Sequence, residues 1–282
     1  MSLYLKIGFS RKRIREWYER WNGSVFVAFS GGKDSTVLLH LVWSMYPEVP
    51  AFFADTGLEY PEIRHFVAET SNVTILKPKI NFRQVLDHHG YPIISKSVAC
   101  TLRKLQSPNI SRRYENKLMY GDERGKFGML PKKYRYLIKA PFKISDRCCE
   151  VMKKRPVHAY IMETGRKQII GTMAVDSNWR TREYLTYGCA LTHIKEPRTS
   201  PLSFWLEKDI WAYIKKFSLP YCSIYDTGVR RTGCVFCCFG VHLEDKPNRF
   251  QLLKKTHLKL YKYCMEQLGI NKVLDFVGVD YK

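Results

Sequence analysis

The string Ser30-Gly31-Gly32-Lys33-Asp34-Ser35 lies between a short β-branched and aromatic run, Ser24 to Phe29, and an apolar run, Thr36 to Met45. The first run has the length and composition of a buried strand, and the second suits a helix packed on a sheet. Two glycines at that junction let the backbone approach a phosphate closely and turn its N–H groups inward, and the start of the helix brings its positive dipole end to the same spot. Ser30 and Ser35 add hydroxyl donors, and Lys33 supplies a point charge. Asp34 cannot bind an anion directly, so it is expected to hold a magnesium ion or to cap the helix. The spacing is not that of a Walker A loop, which requires G-x-x-x-x-G-K-[ST].

The flanking chain extends this unit. A second strand is expected at Ala51 to Ala54, ending in Asp55-Thr56-Gly57, with Pro61 placed for the first turn of the next helix. Val73 to Leu76 reads as a strand and Asn81 to His88 as a helix. Further on we expect a helix at Ile144 to Lys154, a strand at Gln168 to Thr172, a helix at Glu207 to Phe217 and a C-terminal helix at Asn248 to Leu268. Strands alternating with helices at this spacing predict an α/β fold with a doubly wound, mainly parallel sheet. Such sheets bind ligands beyond the carboxyl ends of their strands, where both Ser30–Ser35 and Asp55–Gly57 fall. Between about residues 95 and 143 the alternation gives way to a basic, Gly- and Pro-punctuated insertion. The expected organisation is a nucleotide-binding α/β domain over residues 1–200, with the insertion at about 100–143, and a helical C-terminal region over 201–282.

Charge narrows the partners. There are 47 Lys and Arg against 26 Asp and Glu, a net charge of +21, which favours a polyanion such as a nucleotide, DNA or RNA. Twelve basic residues face only Glu115, Asp122 and Glu123 between Arg103 and Lys143. No run approaches the ~20 apolar residues of a membrane span. The first twelve residues lack a signal peptide's pattern, so a cytoplasmic protein without a membrane partner is expected.

Nine cysteines are unevenly placed: Cys148 and Cys149 are adjacent, and Cys234, Cys237 and Cys238 lie within five residues. Clustering of this kind points to metal binding or thiol chemistry. Cys148, Cys149, Cys234 and Cys237 form a four-thiolate set suited to tetrahedral zinc or to an iron–sulfur cluster, and spacing does not choose between them. Adjacent cysteines diverge, which is awkward for one zinc ion and easier for the separated corners of a cluster. Cys238 is a candidate either to substitute for Cys237 or to act as a separate reactive thiol. Cys100, Cys189, Cys222 and Cys264 are expected to pack as small hydrophobes.

The string SGGKDS resembles the PP-loop of the adenine nucleotide α-hydrolase superfamily, and the chain is similar to the phosphoadenosine phosphosulfate (PAPS) reductase family. The resemblance rests also on Ala54 to Glu59, with its D-T-G; on Gly171 to Arg180, similar to G-x-R-x-x-[EQ]-S-x-x-R; on Pro201 to Ile214, with Trp205, Asp209 and Trp211; and on Arg231-Thr232-Gly233-Cys234-Val235-Phe236-Cys237. It implies a Rossmann-like sheet and an adenine nucleotide held by Ser30, Gly31, Gly32, Lys33, Asp34, Ser35, Asp55, Thr56, Gly57 and Arg180. The C-C…C-x-x-C pattern resembles the [4Fe–4S] ligand set of adenylylsulfate (APS) reductases.

Two departures bear on activity. Met173 replaces the family's first arginine, and the C-terminal E-C-G-L-H segment that carries the reductases' catalytic cysteine has no counterpart. Moreover, the complete loop with its lysine resembles members that cut ATP between the α- and β-phosphates. The resemblance thus implies one of two enzymes. In one, ATP with magnesium adenylates an acceptor such as tRNA or DNA, Lys33 and Asp34 serve catalysis, and sulfur arrives through the cluster or Cys238. In the other, PAPS or APS is reduced with release of sulfite. A non-catalytic nucleotide- or nucleic-acid-binding module is the third reading. A sulfur-donor or reductant protein and a homo-oligomer are the further partners expected.

Overall fold

The computed structural model describes residues 1–123, 125 and 128–282; positions 124, 126 and 127 of the basic insertion lie outside the described residues. The chain begins with α1 (Leu3–Arg20), β1 (Val25–Ala28), α2 (Lys33–Trp43), β2 (Ala51–Ala54), α3 (Pro61–Glu69) and β3 (Val73–Leu76). There follow α4 (Phe82–His89), β4 (Ile93–Ile94), α5 (Lys96–Leu105), α6 (Arg112–Tyr120), α7 (Arg155–Thr164), β5 (Lys167–Ile170) and α8 (Asn178–Tyr187). The last elements are β6 (Ala190–Leu191), β7 (Arg198–Thr199), α9 (Glu207–Lys216), β8 (Cys238–Phe239), α10 (Arg249–Thr256), α11 (Leu258–Lys262) and α12 (Ile270–Val277). They form two compact units that interleave along the chain. One comprises Met1–Asp55, Glu59–Lys77 and Pro156–Thr232; the other comprises Thr56–Leu58, Pro78–Arg155 and Gly233–Lys282.

The first unit is built on a sheet of order β3-β2-β1-β5-β7-β6. Every pairing is parallel except that of β6 with β7. Side chains alternate between the faces of a strand, so Phe26 and Ala28 of β1 point one way and Val25 and Val27 the other. Phe26 and Phe52 cluster with Tyr160 and Ile161 of α7. The opposite set, Val25, Val27, Ala51 and Phe53, is equally buried, so both faces are covered as a parallel sheet requires. Strand β3 sits at the edge, and its Thr74 and Ile75 are exposed accordingly. The strand order runs outward from β1 on both sides, to β2 and β3 on one and to β5 on the other, which makes the carboxyl end of β1 the topological switch point. The phosphate loop follows that strand.

Helix α1 is anchored to this unit by polar groups. Ser10 donates to the Pro201 carbonyl at 2.8 Å and accepts from the Trp205 indole N–H at 2.9 Å. Lys6 forms a buried ion pair with Asp209.

The second unit carries a two-stranded parallel pairing of β4 with β8 and the helices of the insertion and the C-terminus. The basic, Gly- and Pro-punctuated insertion holds α5, α6 and a 3₁₀ segment, Lys132–Lys139. Both helices start on serine caps: Ser95 accepts from the Val98 N–H and Ser111 from the Tyr114 N–H.

Two expected helices take a different form. The segment placed at Ile144 to Lys154 becomes helical only at Cys148, passes through a π-turn at Glu150–Lys154 and continues as α7 to Thr164. The C-terminal helix expected over Asn248 to Leu268 is divided at His257, whose backbone (φ −137°, ψ 64°) leaves the helical region, and α11 ends in a second π-turn, Tyr263–Gln267. Among the described residues, no helix is long and apolar enough to cross a membrane.

Candidate functional site

Strand β1 delivers Phe29 and Ser30 to the switch point, and α2 begins at Lys33 with Gly32 as its N-cap. The helix therefore starts three residues before Thr36, where the apolar run begins. Gly31 has φ +68°, and a Cβ there would stand 2.8 Å from Val67 and 3.0 Å from Ile63. A Cβ on Gly32 would lie 2.7 Å from the Thr232 hydroxyl. Neither position admits a side chain in this geometry. The two serines lock the loop from inside: the Ser30 N–H donates to Ser35 Oγ at 3.2 Å, and Ser35 Oγ donates to the Gly32 carbonyl at 2.9 Å. Gly32 offers no side-chain cap, so the first-turn N–H groups of α2 stay directed at the loop's concavity. One of them, that of Lys33, donates to the Tyr225 hydroxyl at 2.9 Å.

Lys33 is buried (4% exposed) and held on several sides. Its Nζ donates to the Arg230 carbonyl at 3.2 Å, stands 3.3 Å from Glu207 Oε1 and lies 5.3 Å from the centre of the Tyr225 ring. Asp34 Oδ1 is a buried oxygen with no hydrogen-bond partner among the described residues. Lys33 Nζ is 3.8 Å from it, beyond hydrogen-bond reach. Burial raises the Asp34 carboxyl above its usual range; Lys33 counteracts this, while Asp176 and Glu207 add to it.

Arg180 lies on α8, half-exposed, with Nη1 donating to Asp176 Oδ2 at 2.6 Å; Arg231 stands 3.7 Å from the other Asp176 oxygen. Asp55 ends β2 and pairs with Arg64 at 3.1 Å. Met173, at the position of the family's first arginine, is buried.

The second unit contains Thr56, Gly57 and the four cysteines. The Leu58 N–H donates to Thr56 Oγ1 at 3.2 Å, and the Leu58 carbonyl accepts from the Val235 N–H at 2.7 Å, which ties the D-T-G segment to the C-x-x-C. Cys234 to Cys237 is a turn closed by the Cys237 N–H donating to the Cys234 carbonyl at 3.1 Å. Arg249, fixed by Glu244, donates from Nη1 to the Cys237 carbonyl at 2.9 Å. Cys148 and Cys149 lie in the first helical turn before the π-turn, their sulfurs 4.0 Å apart.

All four cysteines line one small cavity whose walls include Leu58, Phe82, Pro92 and Met152. Hydrogen bonding from Cys148, with help from Lys96 and Lys153, draws the Cys149 thiol down to about 6, whereas Cys148 is held protonated. Burial pushes Cys237 up. The chemistry of this donor set, four thiols around one apolar cavity with a thiolate already favoured, fits a sulfur-ligated cofactor. Among the described residues, no three or more His, Cys, Asp or Glu side chains converge closely enough for a single metal ion. Cys238, the residue after the turn, is on β8, 1% exposed, with its thiol pushed well above the usual range by burial. That environment does not favour a reactive thiolate.

The structure thus brings Ser30 to Ser35 together with groups that local sequence reading passed over: Tyr225, Glu207, Asp176 and Thr232. Thr232, Asp176 and Glu207 had a local signal, since each lies inside one of the motif stretches on which the family resemblance rests, whereas Tyr225 lies outside all of them.

Comparison with known proteins agrees with this anatomy. The family model described as phosphoadenosine phosphosulfate reductase domain matches residues 24–108 and 109–239. An adenosine 5'-phosphosulfate reductase of Geobacillus kaustophilus is 26% identical over 225 residues, covering 78% of this chain and 75% of that protein. Two uncharacterised proteins of Methanocaldococcus jannaschii are each 26% identical, with 79% and 90% of this chain covered. The chain spans only 38% and 51% of their lengths. A crystal structure of the PAPS reductase from Candida auris superposes with a TM-score of 0.46 at 16% identity, over 79% of this chain and 87% of that one. With the family model matched over most of its length, this chain belongs to the phosphoadenosine phosphosulfate reductase domain family, a family of enzymes.

Proposed function

We propose that the chain binds magnesium-ATP on the Ser30–Ser35 loop and adenylates an acceptor, a nucleic acid, for replacement of its oxygen by sulfur. The observation that carries this reading is the buried Asp34 Oδ1 at the head of α2, which has no hydrogen-bond partner among the described residues and only Lys33 Nζ, at 3.8 Å, as an ion-pair neighbour. A carboxylate beside a phosphate-binding loop opposes an anion unless a cation lies between them. Magnesium is held in this way, by one or two carboxylates together with substrate phosphates. A sulfonucleotide has no triphosphate to share such an ion.

On this reading an acceptor oxygen attacks the α-phosphorus, a phosphorus–oxygen bond forms, and pyrophosphate leaves with the electrons of the broken bond. The Lys33 ammonium and the first-turn amides of α2 stabilise the charge that develops there. Arg180, hydrogen-bonded to Asp176, would serve as a further phosphate contact. The adenylated carbon is then open to a sulfur nucleophile, with AMP leaving. Cys148, Cys149, Cys234 and Cys237 would hold a [4Fe–4S] cluster, or zinc as the alternative; with one thiolate on each iron the cluster would supply electron-transfer chemistry, and the sulfur nucleophile would come from a separate donor.

Reduction of APS or PAPS is the second reading, favoured by relatives that carry the name APS reductase. It requires a thiolate that attacks sulfur, and Cys238 and Cys264 are both buried with their thiols pushed up by that burial.

The test is a nucleotide product assay on anaerobically purified protein given ATP, APS or PAPS with a thiol reductant, the ATP arm also containing single-stranded RNA or DNA as acceptor and sulfide as the sulfur nucleophile. AMP and pyrophosphate from ATP, lost in Asp34→Asn, is the expected result. AMP with sulfite from APS, or adenosine bisphosphate with sulfite from PAPS, would establish the reductase instead.

A further inference from the structure

The insertion within the second unit holds a cleft of about 660 Å³ that the phosphate loop and the cysteines do not account for. His88 and His89 at the end of α4, Arg103 and Lys104 at the end of α5, and Lys143 line it, together with Tyr114 from the start of α6. Among the described residues lining it there is no carboxylate. Basic residues in the last turn of a helix commonly offset the helix dipole, and one such turn would need no further account. Here the last turns of α4 and α5 and a lysine from a separate loop converge on one concavity, whose charge comes from Arg103, Lys104 and Lys143.

The charges are positioned. Arg103 Nε donates to Asp146 Oδ1 at 2.8 Å, which fixes the guanidinium plane at the cleft wall. Lys104 Nζ lies 5.7 Å from the centre of the Tyr114 ring, which is 39% exposed. The pattern of cation beside exposed ring continues along the unit. Tyr120 is 65% exposed, with the Arg135 guanidinium 5.2 Å from its ring centre. Exposed aromatics among cations serve neither a core nor a simple salt-solvated surface. They match the two parts of a single-strand site, a positive groove for the backbone and flat rings for bases.

We infer that this cleft binds a single-stranded nucleic acid, with phosphates on Arg103, Lys104 and Lys143 and a base stacked on Tyr114. The inference deepens the proposed function by naming where its acceptor docks, and in that respect it rests on that reading. Binding itself needs no ATP.

The experiment is fluorescence anisotropy of the full chain with a labelled ten-nucleotide RNA strand, its DNA counterpart and the matching duplex, at several salt concentrations and without ATP. Expected are tighter binding of a single strand than of the duplex, and a loss of about 5- to 100-fold in Tyr114→Ala that Tyr114→Phe restores. The Lys104→Gln/Lys143→Gln double variant should lower the salt slope by about 1.4, two phosphate contacts at ~0.7 each. Equal binding of strand and duplex, or variants indistinguishable from the parent while circular dichroism shows them folded, would overturn the cleft as the site. So would stronger retention on anionic lipid vesicles than on either nucleic acid. The same variants are assayed for AMP formation from ATP. Cleft-dependent binding without any AMP leaves the cleft standing and the adenylation reading refuted, and AMP formation with cleft-independent binding does the reverse.

Discussion

The Tyr225 hydroxyl accepts the Lys33 backbone N–H at 2.9 Å, so one amide of the phosphate loop is already hydrogen-bonded within the protein. The same hydroxyl is 3.1 Å from Thr232 Oγ1. A nucleotide phosphate that reaches the Lys33 amide must displace this hydroxyl. Tyr225→Phe keeps the ring beside the Lys33 ammonium and removes only the competitor. A hydrogen bond of this kind contributes about 0.5–1.5 kcal/mol net. Nucleotide affinity should therefore rise by about 2- to 10-fold in Tyr225→Phe, measured by isothermal titration with ATP, while the nucleotide-free protein loses a comparable amount of stability.

The Lys6–Asp209 pair tests how α1 is held. Both side chains are largely buried, and Asp209, the third residue of α9, also accepts from the N–H of the N-cap residue Leu206 at 2.7 Å. Replacing Lys6 by methionine removes the counter-charge and leaves a buried carboxylate. Loss of one partner of such a pair costs about 3–5 kcal/mol. Urea unfolding of Lys6→Met should show a drop of that order, and Lys6→Met/Asp209→Asn should recover part of it.

Metal content tests the cysteine set. Anaerobically purified protein should carry about four irons per chain and a broad visible absorption if the four thiols hold a [4Fe–4S] cluster. Cys149→Ser and Cys234→Ser should each lose most of both. Cys189→Ser should keep them, because Cys189 is in the other unit. Stoichiometric zinc without iron would settle the alternative.

His40 gives the stability of the first unit a pH dependence of known sign. Burial, and after it the Arg11 charge, hold its imidazole below the usual 6.5, with Nδ1 2.8 Å from the Tyr213 hydroxyl. As pH falls through about 6.5 the unfolded chain takes up a proton that the folded site resists, so the unfolded state gains. The melting temperature should fall between pH 7 and pH 5.5. His40→Gln should flatten that slope by at most one proton's worth. His89 and His242 are shifted the same way, so some slope will remain.

What was legible in the chain was local. Strands β2 and β3 occur at the residues their β-branched and aromatic runs mark, and the glycine pair announces the loop. Helix α1 escaped because its buried stripe, Lys6, Ile7, Ser10, Ile14 and Trp17, includes two polar residues, which blurs the apolar period. The long C-terminal helix was overread because nothing in the composition marks the break at His257.

By itself, then, the sequence determined the phosphate loop, the parallel α/β sheet and the four-thiol set, because strand length, glycine freedom and side-chain chemistry act over a few residues. Tertiary structure alone decided which distant groups close on the loop. Tyr225 and Glu207 are remote from Lys33 in the chain, and only the order β3-β2-β1-β5-β7-β6 brings their segments back into the unit that holds it. It likewise decided that Cys234 and Cys237 share a cavity with Cys148 and Cys149 while their neighbour Cys238 points into the core. Burial and proximity between remote segments follow from how the whole chain packs, and no local pattern of residues encodes them.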